Sequence, residues 1–228
     1  MLAAATVAGL IGTMAAPEGA VAATGEFHAP TRTFAGAFLA GNAARDRYDF
    51  TAAARFFDEA LRFDPGNLGL RRDLMIALVS DGQIDAAVPH AEALKDEAGA
   101  DRLSRLVLGV SAIGDNRYLD ANALLSQSAS NDLEQLMAGI MRAWAMHGAG
   151  DTEGALALVD QLDGPDWYGL FTSYHGALIA DAAGWDEQAQ SRYEAGIDDQ
   201  TGGSASPLTY LRLAEAGARF MARNGRLA

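Results

Sequence analysis

From Phe34 onward apolar residues recur three and four positions apart, the spacing of helices that bury one face. The first stretch shows it best. Phe34 to Arg47 reads as one helix, Tyr48-Asp49 as a turn, and Thr51 to Phe63 as a second helix. On that second helix Ala53, Phe57, Ala60 and Leu61 form a single stripe. Asp64-Pro65-Gly66-Asn67 then closes the unit, because proline cannot continue a helix and Gly-Asn supports a turn. Ala53 has to be small, since the partner helix crosses closely there.

The pattern then returns. Ala53, Ala87, Ala121, Ala155 and Ala189 close equivalent segments, and every step is 34 residues with no insertion. The turn glycines Gly82, Gly150 and Gly184 travel with them, placed where a helix end calls for positive φ. A short helical hairpin cannot bury its apolar face alone, so such units must stack on one another. The expected fold is all-α: a solenoid of stacked antiparallel helix pairs. Five units are expected, at 34–67, 68–101, 102–135, 136–169 and 170–203. Pro89 falls inside a second helix, where it should remove one backbone bond and bend the helix. Gln200 to Ser204 reads as a longer joint, and Pro207 suits the first turn of a further helix over Leu208 to Arg223. Residues 204–228 are thus expected to form a partial sixth unit, consistent with a fragment of a longer array.

The N-terminus departs from this pattern. Leu2 to Ala16 is apolar and small-residue rich but too short to span a membrane, and Pro17-Glu18-Gly19 breaks it. Ala20-Val21-Ala22 is a small-x-small motif of the kind at which secretory signals are cut. Residues 1–23 therefore read as signal-like, with cleavage near Ala22 or Ala23, and 24–33 as a linker. A basic start is missing, and an Ala-rich tail on a cytoplasmic protein is the alternative. Export to the periplasm or beyond is the expectation, with membrane contact only through this segment.

Charge and composition narrow the partners. Seventeen Lys plus Arg against thirty Asp plus Glu gives a net charge of −13, which argues against nucleic acid or an anionic membrane surface as partner. Half the residues are hydrophobic, enough for a sizeable core. Cysteine is absent, which removes disulfides, thiolate metal sites and cysteine nucleophiles.

Catalytic chemistry finds little footing. The four histidines, His28, His90, His147 and His175, fall in separate segments without helical metal-site spacing,. Asp160, Asp163 and Asp166 flank Gly164-Pro165 but lack the loop pattern and closing glutamate of a calcium site, so they read as capping and turn carboxylates. Gly202-Gly203-Ser204 is not followed by the lysine of a phosphate cradle, and no serine sits in a nucleophile elbow. No catalytic residue, metal or cofactor is expected.

The 34-residue length and the small positions resemble the tetratricopeptide repeat family over Phe34 to about Gly203. In the first unit Gly41, Ala53, Phe57, Ala60 and Pro65 match the family pattern, while Ala37, Ala40 and Ala44 stand where it has Trp, Leu and Tyr. Gly109 with Ala121, Ala143 with Ala155, and Ala177 with Ala189 and Tyr193 keep the small and aromatic positions of later units. The resemblance implies a right-handed superhelix and a protein-interaction scaffold. Its first helices would line a concave groove for a protein or peptide partner. Carried over, that face comprises Phe38 and Asn42, Arg72 and Ile76, Leu106 and Val110, then Ile140, Trp144 and His147, and finally Phe171 and Tyr174. Members that clamp an acidic C-terminal tail use lysines, asparagines and an arginine there; only Asn42 fits, so that ligand is disfavoured. The rival expectation is an accessory repeat region of a longer enzyme or envelope-assembly protein.

Overall fold

The computed structural model describes residues 33–199 and 206–226. The signal-like segment, the linker up to residue 32 and the joint at 200–204 lie outside them. The described residues belong to one compact unit and form helices without any strand. In order these are α1 (Phe34–Asp46), α2 (Phe50–Phe63), α3 (Leu68–Ser80), α4 (Ile84–Leu94), α5 (Asp101–Gly114), α6 (Tyr118–Leu125), α7 (Asp132–Gly148), α8 (Thr152–Asp160), α9 (Tyr168–Ala182), α10 (Asp186–Asp198) and α11 (Pro207–Arg223). Each helix packs on the next, so the chain is an all-α array of stacked antiparallel pairs.

The turn inside each pair explains the periodicity. Tyr48, Gly82, Asn116, Gly150 and Gly184 all have positive φ, from 59° to 92°, and they recur every 34 residues. The amide three residues past each first helix then reaches back to a carbonyl in its last turn: Asp49 to Ala44, Gln83 to Leu78, Arg117 to Ala112, Asp151 to Met146 and Trp185 to Ala180, at 2.8–3.0 Å. This is the Schellman closure, which satisfies carbonyls that the helix end leaves free. Gly225 and the bond from Arg226 N to Met221 O repeat it after α11. Side-chain caps open several helices, with Thr33, Asp49, Asn67, Asn131 and Asp151 each accepting an amide of the first turn,. Pro89 does not end α4, which runs on to Leu94.

The second helices begin at Phe50, Ile84, Tyr118, Thr152 and Asp186, so one residue of each faces the same crossing. Ala53, Ala87, Ala121, Ala155 and Ala189 occupy it, all with 0% exposure. A second crossing position carries more shape information. A β-carbon on Gly41 would stand 2.6 Å from the Phe57 ring, and one on Gly109 would stand 2.6 Å from Leu125 Cγ. Glycine on the first helix thus makes room for a large residue on the second. In the second pair, α3 and α4, the sizes reverse: the equivalent residues are Met75 and Ala91, both out of solvent. Between the first two pairs the crossing thus exchanges a large residue from one helix to the other at similar total volume.

Candidate partner-binding face

The last complete pairs bring one part of the first-helix face together. Along α7 Leu133, Leu136, Met137, Ile140, Met141 and Trp144 follow one another at three- and four-residue spacing, one continuous apolar strip,. Two polar ties set α9 beside it. Near the start of both helices the Tyr168 hydroxyl donates to the Asp132 carbonyl. At the far end the Trp144 indole N–H donates to His175 Nδ1 at 3.2 Å. Between the ties lies a cavity of about 330 Å³, walled by the α7 strip and by Phe171 and His175 of α9.

The aromatic rings hold their places through edge contacts. Trp167 stands edge-on to Tyr168 at 4.8 Å and to Phe171 at 5.9 Å. Trp144 makes similar contacts with His147 at 6.0 Å and His175 at 6.5 Å. Such pairs add a modest attraction beyond area burial, so the walls are fixed in shape. His175 is the one titratable group in the cavity lining, and burial pushes its pKa below the ordinary imidazole value. A neutral ring is what an Nδ1 that accepts a hydrogen bond requires. The opening of the cavity is apolar too, since Leu133 is 56% and Met137 41% exposed.

The residues of the face carried over from the resemblance sit in different surroundings. Ile140, Trp144 and Phe171 line the cavity. Ile140 is itself buried, packed with Leu136 and Tyr168. Tyr174 packs into the neighbouring core with its ring 5.2 Å from that of His175. His147 sits at the edge, its Nδ1 2.9 Å from the Thr152 hydroxyl at the start of α8. The remaining candidates lie outside the cavity. Phe38 stacks on Phe34 at 6.0 Å and packs against the Phe57 core, and Asn42 donates to the Phe38 carbonyl at 3.1 Å. Arg72 is exposed with Asp73 3.8 Å away, and Ile76, Leu106 and Val110 are half-buried on α3 and α5. Leu133, Leu136, Met137, Met141 and His175 are wall residues that the register does not pick out. The signal for the first four is the unbroken strip on α7, more apolar positions than one core face needs.

What this arrangement can do is bury an apolar side chain offered from outside. Among the described residues no three His, Asp or Glu side chains gather as a metal ion would need, and no helix is long and apolar enough to cross a membrane.

Solved structures share this architecture. The chain superposes on the MamA protein crystal structure with a TM-score of 0.61 at 14% identity, covering 77% of this chain and 96% of that one. A putative kinesin light chain from Podosopora anserina, with nearly identical TPR-like repeats, gives 0.59 at 16% identity, covering 78% and 100%. No family model matches the sequence, and no curated protein is significantly similar to it. The class is therefore that of α-solenoids built from antiparallel helix pairs. More closely, the fold is the tetratricopeptide-repeat type.

Proposed function

We propose that this chain is a non-catalytic interaction scaffold that holds a partner protein segment on its first-helix face, anchored at the cavity between α7 and α9. The observation that carries the reading is the cavity itself: nearly all its lining is apolar, and Leu133 and Met137 stand exposed at its mouth. An array that only needed to fold would gain nothing from presenting these side chains to water, whereas a partner's aliphatic or aromatic side chain would bury against them. The fold supports the same reading, because stacked helix pairs build extended surfaces suited to peptide segments. Peptides selected from a random library on the immobilised chain should carry a large apolar anchor and should bind equally well in high salt. A consensus made of charges alone would contradict the reading.

The scaffold is further proposed to work outside the cytoplasm, in the bacterial periplasm, on the strength of the apolar run before Ala20-Val21-Ala22,. Expressed in a Gram-negative host behind its native upstream sequence, the chain recovered from the periplasm should begin near Ala23 on N-terminal sequencing. An uncut chain confined to the cytosol would exclude export.

A further inference from the structure

The face built by the second helices carries a site of different chemistry. Between α2, α3 and α4 lies a cavity of about 380 Å³ with Arg55 and His90 in its walls and Leu74 and Leu78 behind them. Leu74 and Leu78 are each two residues from Arg72 and Ile76, about 200° around α3. This cavity is therefore turned away from the first-helix face, and nothing in the partner reading depends on it.

Its polar atoms are unevenly served. Thr51 Oγ1 donates to Asp81 at 2.6 Å, and Gln83 Nε2 donates to the same carboxylate. Asp58, one turn from Arg55 and in the same lining, is paired with Arg62. Arg71 donates to the Pro65 carbonyl at 2.9 Å. Arg55 is left over. Its guanidinium carbon lies 4.5 Å from the centroid of the Phe56 ring, which supports one face. Its Nε and Nη2 are out of contact with solvent and have no protein acceptor, and the same holds for His90 Nδ1. These three atoms belong to two residues of one cavity lining, in a chain whose thirty acids outnumber its seventeen bases. Buried donors without acceptors are costly and uncommon in folded proteins.

We propose that Arg55 and His90 form a carboxylate-binding site. The Nε and Nη2 edge of a guanidinium presents two parallel N–H groups at the spacing of two carboxylate oxygens, and His90 Nδ1–H would supply a third donor from α4. Burial, and after it the charge of Arg71, keeps the His90 pKa below the ordinary value, with Asp58 acting the other way; the neutral ring still carries one N–H to give. Asp58 in the same lining favours a monoanionic carboxylate over a more highly charged phosphate,. The carboxylate can come from an acidic side chain, a peptide C-terminus or a small acid.

The test is a titration of the isotope-labelled full chain, following the Arg55 Nε–H resonance. The probes are sodium acetate, N-acetylglutamate amide, N-acetylalanine with a free carboxylate, and inorganic phosphate. A saturable downfield shift with acetate is expected, and whichever amino-acid probe binds more tightly identifies a side-chain or a C-terminal source. Arg55→Lys keeps the charge but loses the fork, and should weaken acetate binding about 10–100-fold. His90→Asn, which keeps a donor near the Nδ1 position, should retain most of it. Absence of a saturable shift would show that the cavity holds only water and overturn the proposal. So would phosphate binding more tightly than acetate, or an Arg55→Lys variant that binds as the parent does.

Discussion

Phe57→Ala is expected to cost the array about 3–5 kcal/mol, and adding Gly41→Met to that variant is expected to return most of the loss. Phe57 has no exposed surface, and its ring fills the space left by the missing side chain of Gly41. Removing the ring alone opens a cavity that the crossing helices cannot close. Gly41→Met alone should cost about 1–3 kcal/mol by overpacking, less a gain of roughly 1 kcal/mol for replacing a helical glycine. Together the two substitutions rebuild, in the first pair, the size order that Met75 and Ala91 give the second. Urea unfolding of the parent, both single variants and the double variant closes the cycle, and the coupling should be several times the ~0.5 kcal/mol of independent sites. A double variant no more stable than the two losses added together would mean that the crossing does not trade volume across its two helices.

Much of the architecture was open to sequence reasoning because the structure repeats its constraints at a fixed interval. Fully buried alanines at one crossing and positive-φ turns at 34-residue steps leave a periodic trace that survives in an alanine-rich chain. The exchange of sizes at Met75 and Ala91 hides that trace at a second crossing, since each residue taken alone breaks the family pattern. The site was harder to read for a related reason. Register assigns Phe38, Arg72, Leu106, Ile140 and Tyr174 the same place on the first helix, yet Ile140 is buried under its neighbours and Arg72 stands in solvent. Which member of a register is covered depends on the length of the second helix beside it and on the segment that follows. α6 has 8 residues and α8 has 9, against 14 in α2. Leu162, just past α8, fills the space over Gly139 on another face of α7. Periodicity carries no record of such local shortening. Nor does it pair Arg55 with His90, which come from consecutive second helices at positions that read as ordinary polar surface.

Trp144→Ala is expected to fail in two ways that Met137→Ser separates. The Trp144 ring is half-buried, packs against two core clusters and donates its indole hydrogen to His175. Its removal should lower stability by about 2–3 kcal/mol, short of the full cost of a wholly buried ring. It should also remove one wall of the cavity and weaken a selected peptide by about 2 kcal/mol or more. Met137 is 41% exposed at the mouth, so Met137→Ser should leave unfolding within about 0.5 kcal/mol of the parent while still weakening the peptide severalfold. Peptide binding unchanged in Met137→Ser would place the partner elsewhere on the array.

The chain has three tryptophans, and this makes one measurement decisive for the scaffold reading. The indole N–H resonances of the labelled full chain, assigned by Trp→Phe substitution, are followed while a library-selected peptide is added. Trp144 lines the cavity and Trp167 braces Phe171, whereas Trp185 belongs to the core beyond Tyr174. The Trp144 signal should shift saturably, that of Trp167 by less, and that of Trp185 should stay in place. A peptide that binds while Trp144 stays in place, or that moves Trp185 alone, would contradict the claim that the α7–α9 cavity is where this scaffold holds its partner.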